Sequence, residues 1–189
     1  MKSIPGWLGI VWLVAGCVSE PPVPAPSAGR SAGALEASGG CPGWYQDEVF
    51  RVRFEVACEY HAEVSFENPG SPAGTIKRRV VFRADRGGDL VLDLWENPEG
   101  LDLQQWLDRY GTIARYRTGP IPDARPISPG GPLGIREAVE TRRSPRKDYA
   151  IVGDRSVVVR LMYADLDAGG SQAAYERALR TLRIAEVAP

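Results

Sequence analysis

The stretch "DLDAGGSQAAYE" places Asp165, Asp167, Gly170 and Glu176 at positions 1, 3, 6 and 12 of a calcium loop, with a helical pattern running on from it. Oxygen atoms at that spacing can wrap one hard cation. Against it, position 5 is Gly169 and position 9 is Ala173, and the preceding residues read as a strand rather than a helix. The simpler account is a strand-to-helix turn in which Gly169 and Gly170 permit the reversal. That account is adopted, so no metal is expected, and Asp165, Asp167 and Glu176 stand as the ligands of the alternative. The one histidine, His61, lies between Glu59 and Glu63 and has the chemistry of a base or ligand. A lone surface histidine more often has no such role.

Ser144 to Lys147, "SPRK", has the S-x-x-K spacing of penicillin-recognising enzymes, but that motif needs its serine at the start of a helix in an apolar cleft. Here it falls in a charged turn after Arg142 and Arg143. There is no G-x-S-x-G, no phosphate-cradling glycine loop and no Cys/His cluster. No catalytic residue and no cofactor is therefore expected, and the chain reads as a non-enzyme. The formal net charge of −1 over 189 residues argues against a protein built on bulk attraction to nucleic acid.

The amino terminus carries the strongest pattern. Lys2 supplies a positive charge, and residues 4–15 form an apolar run of about a dozen residues, well short of the roughly 20 that span a bilayer. The run ends in Ala15, Gly16 and Cys17. Val14-Ala15-Gly16-Cys17, with Leu13 before it, resembles the lipobox of bacterial lipoproteins at all four positions. The resemblance implies that residues 1–16 are a signal peptide cut by signal peptidase II, and that the Cys17 thiol carries a diacylglycerol. Two or three acyl chains hold a soluble domain durably where one does not. The partner implied is a membrane, through lipid on Cys17. Val18 is not the aspartate that retains enterobacterial lipoproteins in the inner membrane. The outer membrane is thus the expected address, with the domain facing the periplasm.

Residues 17–43, rich in Pro, Gly, Ser and Ala, have no periodic apolar set to bury and read as a tether. Cys41 and Cys58 remain. An even pair in an exported chain reads as a disulfide, which stabilises a loop of this size by roughly 3 kcal/mol. A metal or redox pair is the other possibility, though there is no C-x-x-C.

A single domain is expected over 44–186. From Phe50 to Phe66 the even positions are apolar or small while the odd ones include Arg51, Arg53, Glu55, Glu59, His61 and Glu63, which is strand periodicity with a turn near 59–61. Residues 76–84 and 89–95 read as a hairpin around "DRGG". A helix near 102–110 follows, with Asp102 as N-cap and Gly111 as its stop, its apolar face Leu103, Trp106, Leu107 and Tyr110. Strands are predicted over 133–142, 148–152 and 156–163. A last helix, 171–183, carries the stripe Ala174, Tyr175, Ala178, Leu179 and Leu182. The class is α+β, an antiparallel sheet with two main helices.

The run "LVLDLWENPEGLDLQQWLDRYG", a Gly/Pro loop into "GPLGIREAVETRR", the hairpin "YAIVGDRSVVVRLMY" and the helix "AAYERALRTLRI" resemble the PsbP-like α/β/α sandwich. That resemblance implies a non-catalytic domain docking on a larger assembly, here unidentified envelope proteins. A small-ligand or calcium-binding lipoprotein is the alternative, and an unrecognised hydrolase comes third. Residues 118–132 hold five prolines, which lower the entropy lost when a partner holds the loop. Ile121 and Ile127 have no place in any periodic pattern and mark the candidate partner loop. They would serve equally as pins to the core.

Overall fold

The computed structural model describes residues 34–36, 43–84, 88–141, 144–164 and 170–185. In chain order the elements are β1 (Ala34–Glu36), β2 (Gly43–Asp47), β3 (Val52–Val56), β4 (Tyr60–Glu67), β5 (Arg78–Ala84), β6 (Leu90–Glu96), α1 (Leu103–Ala114), β7 (Arg125–Pro126), β8 (Leu133–Thr141), β9 (Ser144–Gly153), β10 (Val157–Ala164), α2 (Gly170–Thr181) and β11 (Arg183–Ile184). All pairings are antiparallel and form two sheets, β1-β2-β3-β11 and β4-β5-β6-β10-β9-β8-β7. The α+β class is as the sequence implies.

The larger sheet is the middle layer, because its strands are apolar on both faces. Alternate residues of β6 and β10 divide cleanly between two cores. Leu90, Leu92, Leu94, Val157, Val159 and Leu161 pack with Ala174, Tyr175, Ala178 and Leu179 of α2 and with Tyr45, Val52 and Phe54 of the smaller sheet. Trp95, Val158 and Met162 pack on the other side with Leu103, Trp106 and Leu107 of α1. Each such buried side chain contributes about 1.5–3 kcal/mol. One outer layer is therefore α1 and the other is α2 together with a second sheet, which the single-sheet expectation did not contain.

The long alternation from Phe50 serves both sheets. It crosses between them at a turn over 57–59, closed by Tyr60 N donating to Ala57 O at 3.1 Å. The phase survives the crossing because β3 and the first part of β4 face the same core. A bulge between Val64 and Phe66 then flips it. Phe66 pairs with Arg79 and is 44% exposed on the α1 side.

Asp102 caps α1 as the sequence predicts: its carboxylate accepts from Gln105 N at 2.8 Å, and Gln105 returns a bond to Asp102 N. Gly111 does not stop the helix. It lies inside α1, and a Cβ there would stand 3.3 Å from the Cδ1 of Ile121, so the residue is small to admit the loop. The helix ends at Ala114, where Arg115 turns to an extended conformation.

Strand β9 begins at Ser144, earlier than expected, so "SPRK" lies on a strand. The short β11 was not anticipated. The strand β1 falls within the 17–43 stretch expected to be a tether and pairs with β2. The "DRGG" residues 85–87 lie outside the described residues, but β5 and β6 pair as the hairpin requires.

Candidate binding surface around the proline-rich loop

Charges placed inside the strands organise this region. Asp93 of β6 is fully buried on the α1 face and takes bonds from Arg79 Nε at 2.6 Å and from Arg160 of β10. Arg160 also donates to the carbonyl of Ala114, the last residue of α1, where a cation complements the helix dipole. Its guanidinium lies 4.4 Å from the ring centroid of Tyr116. On the opposite face Arg78 bonds Asp47 at 2.6 Å and Glu67 at 2.5 Å, tying the smaller sheet to the larger.

Beyond α1 the chain is held at successive points. Arg115 makes a two-bond contact with Glu137 of β8 and also donates to the carbonyls of Gly119 and Pro120, both at 3.1 Å. Tyr149 OH donates to Glu137 at 2.6 Å. Burial, and then the bond to Glu137, push the Tyr149 phenol up to about 12. Ala124 N donates to Gln104 Oε1 at 3.3 Å, and Arg125 and Pro126 form β7 on the edge of β8. Ile127 N closes on Pro132 O at 3.2 Å.

Ile121 and Ile127 are each half-buried, and they enter different cores. Ile121 packs into the α1 cluster and Ile127 into the α2 cluster. Between them the chain passes around the β8 edge, clipped on both faces of the sheet. The surface offered to solvent is thus made by their neighbours, with Pro120, Pro122, Asp123, Arg125 and Pro126 exposed.

Two clefts flank this loop. One, of about 330 Å³, runs from Pro122 through Ile127 to Arg136. The other, of about 440 Å³, lies between Leu103 at the start of α1, Gly131 to Leu133 at the end of the loop, Arg155 in the β9–β10 turn, and Arg183 with Ile184 of β11. Leu133 is 51% exposed at its edge.

The other sequence candidates fall elsewhere. His61 is exposed on β4 opposite Arg83, and Glu63 is paired with that arginine at 3.2 Å. Glu176 is in α2 and bonds Arg136, while Asp165 and Asp167 lie outside the described residues. Among the described residues no group of three His, Cys, Asp or Glu is placed to hold a metal. Cys58 is exposed in the 57–59 turn; Cys17 and Cys41 lie outside the described residues. Sequence reasoning missed Arg155 and Arg183, which no local pattern marks. It also missed the buried ions, although Asp93 and Arg160, opposite charges in the middle of two apolar strands, were a readable sign of a pair.

No family model matches the chain. No curated protein matches it either. Among solved structures, the solution structure of cyanobacterial PsbP (CyanoP) from Synechocystis is 14% identical, with a TM-score of 0.48 over 81% of this chain and 98% of that one. A crystal structure from Bacteroides thetaiotaomicron is 11% identical, with a TM-score of 0.45 over 72% of this chain. The chain spans 46% of the length of that Bacteroides protein.

Proposed function

We propose that the protein is a lipid-anchored, periplasm-facing lipoprotein whose domain is a non-catalytic binding or accessory module of a cell-envelope assembly, docking through the face built by residues 118–132. The observation that carries this reading is the clipping of the loop to both cores through Ile121 and Ile127, which leaves a proline-rich rim fixed between two clefts. A rim already ordered loses little entropy when a partner covers it. The buried charges support the same reading, since Asp47, Asp93 and Glu137 are each spent on arginines that hold layers together. Anchoring rests on Val14 to Cys17, with the outer membrane as the destination. The smaller alternative, a small-ligand lipoprotein, draws on the 440 Å³ cleft. Its calcium form is weakened by the bond between Glu176 and Arg136.

Two measurements test the proposal. Cys17→Ala should abolish labelling by radioactive palmitate, and labelling that survives the change removes the anchor. Affinity capture of the intact protein from membranes should lose its co-purifying proteins when Asp123→Lys and Arg125→Glu are combined, at an unchanged melting temperature. Full recovery of those proteins removes the docking face.

A further inference from the structure

The larger cleft has an apolar floor and an uneven set of charges. Leu103, Leu133, Pro132 and Ile184 supply the apolar part, and Asp102, Asp154, Arg155 and Arg183 the ions. The two carboxylates are already used. Asp102 caps α1 and sits against its positive end. Asp154 Oδ1 accepts from Ser156 N and Oγ, both at 2.7 Å, and from Val157 N at 2.9 Å. The arginines are not paired with an acid. Neither Arg155 nor Arg183 has a carboxylate within ion-pair distance among the described residues. Arg183 is held in place by donating to Leu182 O at 2.7 Å and Arg180 O at 3.2 Å.

A third cation, outside the lining of the cleft, adjoins Arg183. Arg53 of β3 is the direct cross-strand partner of Arg183, and it leans over the Trp44 ring at 4.8 Å. Like charges facing each other across strands cost stability, and a bound anion would offset that cost.

From this geometry we infer that the cleft captures the carboxyl terminus of a partner polypeptide, with the terminal carboxylate on Arg155 and Arg183 and the adjoining aliphatic side chain against Leu103, Leu133 and Ile184. Size decides between a segment and a folded surface. A cleft of 440 Å³ falls in the range of about 300–1,000 Å³ that encloses small ligands, whereas a folded partner needs about 800 Å² on each side. A chain end also brings one charge and one apolar group within a single residue, as this lining requires. The inference rests on the reading of the loop face as a docking surface and supplies its chemistry.

The test uses the full mature chain and a fluorescein-labelled octapeptide ending in two leucines, followed by fluorescence anisotropy. The free-acid peptide should bind about tenfold or more tightly than the same peptide with an amidated end. Arg155→Gln, on an exposed turn, should weaken the acid and leave the amide unchanged, and Leu133→Asp should weaken both. Equal binding of acid and amide overturns the inference, as does no binding of the acid at about 1 mM. Binding to anionic phospholipid vesicles that falls with Arg155→Gln, without acid-specific peptide binding, gives these arginines to a lipid surface and also overturns it. Failure here with partner loss intact in the Asp123 and Arg125 double variant leaves the docking face standing. Peptide binding without that partner loss leaves the cleft and removes the face.

Discussion

Arg115 and Glu137 meet through two hydrogen bonds, Nε to Oε2 at 2.8 Å and Nη2 to Oε1 at 2.5 Å, with 4% and 3% of their side chains exposed. The pair joins the end of α1 to β8 and fixes the point at which the proline-rich loop departs. Burial alone would raise the Glu137 carboxyl, but the bonds from Arg115 and Tyr149 outweigh it and hold the group below the usual carboxylate range. A carboxyl lowered in the folded state contributes stability above its unfolded value, and that contribution is lost as pH falls through the lowered value.

Glu137→Gln should therefore cost about 3–5 kcal/mol at neutral pH, because it strands the Arg115 charge in the interior. The gap from the parent protein should narrow as the pH drops below the ordinary carboxylate range. Urea unfolding at a series of pH values checks this, and a gap that stays constant with pH would refute the assignment.

Gly111 and Ile121 are coupled by their 3.3 Å approach. Gly111→Ala alone gains helix propensity of about 1 kcal/mol and loses part of it to the crowding. With Ile121→Val added, the relief should make the pair of changes worth more than the sum of the two single effects. A double-mutant cycle by thermal melting measures that coupling.

Asp102→Ala removes the side-chain half of the capping box, the bond from Gln105 N, and should cost about 1 kcal/mol. Asp102→Asn should retain most of the stability. Equal losses from the two substitutions would show that charge, rather than the bond to Gln105 N, is what the cap supplies.

Mass analysis of the mature protein without reductant should find Cys41 joined to Cys58. Two thiols open to alkylation in the unreduced protein would refute that pairing. Reduction should lower the unfolding free energy by roughly 3 kcal/mol.

The helices and most strands were legible because their apolar periodicity is local. Leu103, Trp106 and Leu107 mark α1, and the alternation from Phe50 marks β3 and β4. What escaped was decided at a distance. Gly111 reads as a stop until Ile121, ten positions on, is seen against it. The division of β3 and β4 between two sheets leaves no trace in the pattern, since both bury their even residues in one core. Strand β11 is two residues long, and nothing in Arg183 and Ile184 announces a partner in Arg53 and Val52. The cleft joins α1, the loop end, the β9–β10 turn and β11, so its residues are scattered along the sequence from Asp102 to Ile184.

The loop that wraps the β8 border has one more consequence. Strand β7 is only Arg125 and Pro126, and a proline has no N–H to offer a newcomer. At the far end, the register slips between Val139 and Thr141. Beyond β7 the border of β8 runs from Ile135 to Thr141 and carries Arg136 and Glu137, charges that disfavour pairing with a further strand. That border of the sheet is thereby guarded against the addition of a strand, and the opposite border is β4.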